Sequence, residues 1–230
     1  MVMFKKTYFD PIAKLLKNPV HLLRTETFDF AKKHSEPGAA PGIENRKDIK
    51  EPPSPGEIPV SCICYSDSEL INKKYDHIDQ FIASETSSTC TGHKWINIDG
   101  VNPYVINRLR EHYNLHTLAA EDALNVPQRP KIEHYEGQLF TIMRMLMLKD
   151  NRLINEQVSI FYLGNALITI QEAPGDTWDK VRERMKRTKS RFRRLGNDYL
   201  LYALMDAIID HIFPLLEDYG DLLDELKLQV

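Results

Sequence analysis

Three cysteines in 230 residues are too few, and too odd in number, for a disulfide framework, and they point to a reducing compartment. Long hydrophobic runs are scarce as well: no stretch approaches the ~20 uninterrupted apolar residues that a bilayer-spanning helix needs. The first 23 residues mix lysines with apolar side chains and contain neither a signal-peptide core nor a small-residue cleavage site. An excess of positive charge is absent, and a formal net charge of −3 argues against a general nucleic-acid binder. Enzyme signatures are missing too: there is no Gly-rich phosphate loop and no nucleophile elbow. His112 and His116 are four apart but straddle a helix end, so they read as surface histidines. These absences leave a soluble, cytoplasmic chain with no assigned catalytic residue.

What the chain does have is acid in one place. Asp206, Asp210, Glu217, Asp221 and Asp224 fall on one stripe of a long helical pattern. At ~100° per residue they stay within about a sixth of a turn of one another. Leu201, Leu204, Ile208, Ile212 and Leu215 occupy the opposite side and would pack a domain. Lys227 is the only Lys or Arg after Arg194, so intrahelical partners are scarce. The bland reading is a solvated helix face; the sharper one is a set of hard oxygen ligands for a divalent cation. Pro214 lacks the N–H that would bond the Asp210 carbonyl, which predicts a bend there. A second acidic pair, Glu121-Asp122, opens the segment Glu-Asp-Ala-Leu-Asn-Val-Pro-Gln-Arg-Pro-Lys. By itself that pair reads as surface charge, since adjacent helical residues point about 100° apart.

Composition divides the chain into three parts. Residues 1–57 form an extension: an amphipathic helix within 1–34, then a Pro/Gly-rich linker from Ser35 to Glu57. Residues 58–196 form the folded domain, and residues 197–230 begin a long helix that looks cut at Val230. Strands are expected at Ile58–Tyr65, Lys94–Asp99, Gln138–Leu148, Leu153–Leu163 and Ala166–Gln171. Lys149-Asp150-Asn151 and Gly164-Asn165 are the expected hairpin turns. Helices are expected at Tyr75–Ala83, from an Asn102 cap through Tyr113, at Leu118–Leu124 after a Thr117 cap, at Thr177–Lys189, and from about Asn197 onward. Cys62 and Cys64 alternate onto one strand face and read as buried thiols rather than zinc ligands. The basic stretch Lys180–Arg194 reads as a solvated, charge-balancing helix. Strands beside helices in this order give an α/β fold with a mixed sheet covered by helices.

From Trp95 to Val230 the sequence resembles the cytoplasmic N-terminal domain of the CorA family of divalent-cation channels. The matching pieces are Trp95-Ile-Asn-Ile-Asp-Gly100, His116-Thr-Leu-Ala-Ala-Glu-Asp-Ala-Leu-Asn-Val-Pro-Gln-Arg-Pro-Lys131, Glu156-Gln157-Val158-Ser159, Val181-Arg-Glu-Arg184, and Asp198-Tyr-Leu-Leu-Tyr-Ala-Leu-Met-Asp-Ala-Ile-Ile-Asp210. Five pieces in the right order are specific. One departure is Thr117, where the family commonly has proline. The resemblance implies an α/β/α sandwich with a mixed, largely antiparallel sheet, followed by the start of a long stalk helix. It also implies a homopentamer on the cytoplasmic face of the membrane, taking up magnesium and cobalt through a pore that follows the stalk. By position, Glu121, Asp122, Asp206 and Asp210 match acidic residues of interprotomer Mg2+ sites, with Glu217, Asp221 and Asp224 as a further acidic stripe. Zinc transport within the same superfamily, and a soluble interaction module without a channel, are the alternative expectations.

Overall fold

Alternating apolar side chains decide which way each strand faces, and here both faces are apolar. The computed structural model describes residues 47–86, 90–149, 152–173, 175 and 177–227. The helix expected within 1–34, most of the linker, and Asp150-Asn151 of the first hairpin turn lie outside the described residues.

Seven strands form one sheet: β1 (Val60–Tyr65), β2 (Leu70–Tyr75), β3 (His93–Asp99), β4 (Lys131–Tyr135), β5 (Gln138–Lys149), β6 (Arg152–Tyr162) and β7 (Ala166–Gln171). Their spatial order is β2-β1-β3-β7-β6-β5-β4. Every neighbouring pair is antiparallel except β3 and β7, which run parallel with Trp95 beside Leu167 and Ile98 beside Ile170. All six residues of β7 are buried, as a central strand covered on both sides requires.

Three helices cover one face: α1 (Ile78–Thr86), α2 (Pro103–Tyr113) and α3 (Thr117–Leu124). Ile78, Phe81, Val105, Ile106, Leu109, Ala119, Ala120 and Ala123 pack there on Val60, Ile96, Ile98, Phe140, Phe161, Ile168 and Ile170. The other face carries α4 (Asp179–Lys186) and α5 (Arg191–Asp210), with α6 (Ile212–Lys227) continuing outward. Trp178, Val181, Met185, Phe192, Leu200, Ala203, Leu204 and Ile208 pack there on Ile63, Tyr65, Trp95, Met145, Val158, Ile160 and Leu167. The result is an α/β/α sandwich with a long C-terminal helix.

Local chemistry sets the boundaries. The Asn102 side chain accepts from the Val105 N–H at 3.2 Å and Pro103 occupies the first helical position, so α2 starts where expected. The helix after it differs: His116, not Thr117, is the N-cap, and its side chain makes no capping bond. Nor is His116 a surface histidine. Its ring is half-buried and stacked on Tyr135, with centroids 3.8 Å apart. Two strands escaped the sequence reading. Tyr75 ends β2 rather than opening a helix, and β4 follows directly after Pro130. The helix expected at Thr177–Lys189 is shorter, and Lys189 takes a left-handed φ of 63° beyond its end.

Cys64 and Cys90 are joined in a disulfide with Cα atoms 6.2 Å apart, which corrects the expectation that no bridge forms. Cysteine count alone could not show that the end of β1 lies beside the chain leading into β3. Cys62 remains a buried thiol.

The long helix is in two ways discontinuous. At Gly196 the backbone leaves helical geometry with φ 65° and ψ −150°, a conformation only glycine adopts readily, so continuous helix begins at Asn197 as expected. A Cβ at 196 would also collide with the His93 imidazole. The second interruption is at His211, three residues before Pro214, where the helix assignment breaks although φ −66° and ψ −15° stay right-handed helical. Among the described residues one helical stretch, 191–221, is long and apolar enough to cross a membrane, although acidic residues interrupt its apolar run. Leu200, Ala203, Leu204 and Ile208 on its inner side are buried on the sheet instead.

Candidate metal centre

Glu121 and Asp122 project from α3 because Ala119, Ala120, Ala123 and Leu124 take the buried side of that helix. Both acids are half-buried. Asp122 is engaged: its Oδ2 receives the Lys131 ammonium at 2.6 Å. The same ammonium reaches Glu133 Oε2 at 2.9 Å, and the Tyr135 hydroxyl donates to that oxygen at 2.9 Å. Lys131 thus bridges two carboxylates. Partial burial works against its charge, but hydrogen bonds to Asp122 and Glu133 outweigh that and raise its pKa above the ordinary lysine value. The Lys131 hydrogen bond holds the Glu133 carboxyl below its usual range.

Gln157, buried on β6, fixes the rest of this corner. Its Oε1 accepts from the Gln128 backbone N–H at 2.7 Å, and its Nε2 donates to the Asp122 carbonyl at 3.3 Å and to Ser159 Oγ at 3.2 Å. Two of the sequence pieces that carry the resemblance therefore meet in space. Sequence reasoning assigned no role to Lys131, Glu133 or Gln157, although Lys131 closes the acidic segment and Gln157 lies inside a quoted piece.

Asp206 and Asp210 stand one turn apart on α5, the first half-buried and the second exposed. Among the described residues no ion pair engages either of them. Glu217, Asp221 and Asp224 continue outward on α6, all exposed, and Asp224 is paired with Lys227 at 2.7 Å. No three His, Cys, Asp or Glu side chains come within reach of a single ion among the described residues. The reason is geometric: α3 packs on one face of the sheet and α5 on the other. A single chain keeps Asp122 apart from Asp206 and Asp210.

The basic stretch after Trp178 is partly packing. The Arg182 guanidinium lies 5.1 Å from the Trp95 ring centroid and that of Arg184 lies 5.1 Å from Phe192. Arg193 is buried and donates to the Met185 and Ser66 carbonyls. At the root of the long helix, Tyr65 donates to Asn197 Oδ1 at 2.7 Å, Asn197 donates to the Gly164 carbonyl at 3.0 Å, and the Tyr162 hydroxyl donates to Asp198. The Asp198 hydrogen bond, with some burial, pushes the Tyr162 pKa up to about 12.

Residues 91–230 match the family described as CorA-like Mg2+ transporter protein. The chain is 37% identical over 177 residues to the cobalt/magnesium transport protein CorA of Thermotoga maritima, an alignment covering 76% of this chain and 50% of that protein. It thus spans about half the length of that relative. The soluble domain of CorA from Methanocaldococcus jannaschii superposes with a TM-score of 0.54 at 17% identity, covering 74% of this chain and 63% of that one. The ZntB cytoplasmic domain from Vibrio parahaemolyticus gives 0.53 at 15% identity, covering 72% and 63%. At these identities the two structures speak for the fold alone. With the family match covering well over half the sequence, this chain belongs to the CorA-like Mg2+ transporter family.

Proposed function

We propose that this chain is the cytoplasmic, divalent-cation-sensing part of a magnesium/cobalt channel. In this reading Mg2+ shared between neighbouring protomers of a homopentamer favours the closed pore. The domain organisation follows the sequence reading: an extension over 1–57, the sensing domain over 58–196, and the root of a stalk over 197–230. The observation that carries the reading is the placement of Asp122 and of Asp206 with Asp210 on opposite faces of one sheet. Acids so placed are useless to a closed single-chain cage and suited to ions shared between copies.

The chemistry fits the donors. Magnesium sheds water reluctantly and is commonly held by one or two carboxylates with retained waters, so loosely opposed Asp and Glu side chains suffice. Glu121, Asp122, Asp206 and Asp210 would supply them, with Glu217, Asp221 and Asp224 adding negative field, and Co2+ is accepted by the same oxygen set. The role is regulatory rather than catalytic. When the ion is scarce, the unscreened acidic faces repel and the ring loosens.

Weak sites are enough. An ion at ten times its dissociation constant stabilises one interface by only ~1.4 kcal/mol. Over about five interfaces the sum is roughly 7 kcal/mol, above the ~5.5 kcal/mol that swings a two-state gate from 1:99 to 99:1. The test is limited proteolysis of the assembled full-length protein with and without Mg2+. Asp122→Ala combined with Asp210→Ala is expected to abolish the protection that Mg2+ confers; protection equal to the parent protein's would refute the assignment.

A further inference from the structure

The three cysteines divide into one buried free thiol and one bonded pair. Cys62 is buried, and its thiol is pushed up to about 12, first by burial and then by the nearby Glu85 charge. Cys64 lies two residues further on β1, half-buried and bonded to the half-buried Cys90. The bonded residues are thus partly exposed, whereas Cys62 is not.

The surroundings of the bridge give it a consequence. Tyr65, next to Cys64, is the residue whose hydroxyl donates to Asn197 at the start of the continuous helix. On the other side of the bridge, the chain from Cys90 runs through Gly92 to His93. Gly92 is packed so closely that a Cβ there would collide with the Tyr65 carbonyl oxygen. His93 sits opposite Tyr65 in the β1–β3 register, with ring centroids 5.6 Å apart, and its imidazole lies against Gly196. Ser66, the next residue of this strand end, accepts from buried Arg193 at 3.4 Å. The two strand ends that the bridge fastens are therefore the two that grip the root of α5.

We propose that Cys64 and Cys90 are an oxidisable dithiol whose closure by low-molecular-weight disulfides tightens the anchorage of the long helix. One protein thiolate attacks the small disulfide RSSR, forming a mixed disulfide and releasing one RSH. The second protein thiolate then attacks the protein sulfur of that mixed disulfide, releasing the second RSH. Two protein thiols are oxidised to one disulfide, and RSSR is reduced to two RSH. The chemistry is independent of ion sensing. Only the resting state rests on the cytoplasmic placement proposed above, where such bonds are transient and regulatory.

The test uses the 230-residue chain in metal-free, EDTA-containing buffer, equilibrated with either oxidised glutathione or dithiothreitol. Peptide mapping of the oxidised sample is expected to find Cys64 linked to Cys90, with Cys62 alkylated only after denaturation. Hydrogen exchange of the Asn197–Leu201 amides is expected to slow about tenfold on oxidation and to recover on reduction. Cys90→Ser should exchange like the reduced protein under both conditions. Tyr65→Phe should keep the link yet lose its effect on those amides. A link involving Cys62, no link at all, or equal exchange rates at Asn197–Leu201 in both states would overturn the proposal. Because no Mg2+ is present, each of those outcomes leaves the ion-sensing reading untouched.

Discussion

Lys131 holds the acid that the proposed Mg2+ must take, so replacing it with methionine is expected to strengthen Mg2+ binding. Its ammonium is 2.6 Å from Asp122 Oδ2. An ion held by the other carboxylate oxygen would lie roughly 6 Å from that nitrogen. With charges of two and one, the repulsion is about 1.4 kcal/mol at the dielectric constant of water, which is about tenfold in affinity. Lys131 and Asp122 side chains are 28% and 24% exposed, so a solvent-like dielectric is the conservative choice. The variant should cost little stability, because half-exposed pairs contribute about 1 kcal/mol or less. Calorimetric titration of the assembled protein with MgCl2 at low ionic strength should show the dissociation constant falling about tenfold. The gain should fade near 0.5 M salt, where screening reaches inward to a few ångströms. Lys73→Met, on the exposed edge strand β2, serves as the charge-matched control and should change nothing. An affinity for Lys131→Met that is unchanged or weaker at low salt would refute the reasoning.

Three other outcomes are expected. Gly196→Ala forces a side chain into a glycine-only backbone region and against His93, so a loss of about 1–3 kcal/mol or more should appear as a lower urea midpoint with an unchanged slope. Gln157→Leu strips the Gln128 N–H of its acceptor in a buried corner and should cost about 1–3 kcal/mol by the same measurement. The folded-state pKa of Tyr162 is raised to about 12 from an unfolded value of 10.0, so its stabilising contribution is complete below pH 10 and lost as pH climbs through 12. Urea midpoints measured across that window should fall more steeply for the parent protein than for Tyr162→Phe.

How much of this was legible depended on whether a signal was local. Ile96 and Ile98 alternate with Trp95 and Asn97 in a run that had to be a strand, and Asn102-Pro103 wrote its own helix start. Strand β2 hid because it is an edge: Asn72, Lys73 and Lys74 face water and dilute the alternation. β4 hid behind Pro127 and Pro130, although its pairing needs only the neighbouring β5. The acidic residues of the candidate site were legible by type and spacing. Their separation onto opposite faces of the sheet was not, since it depends on which helix covers which side. The ammonium of Lys131 between Asp122 and Glu133 was equally hidden, because it joins a helix to a strand nine residues on. The Cys64–Cys90 bridge required knowing that two strand ends lie side by side.

The interruption at His211 divides a deeply anchored helix from a more exposed one that still lies against β5. α5 is pinned to the sheet by Leu200, Leu204 and Ile208, whereas Leu215 is the one buried residue among the described side chains of α6. Sixteen residues of α6 make a lever about 24 Å long. A pivot of about 5° at His211 would carry its far tip roughly 2 Å sideways and shift the base of α6 against β5.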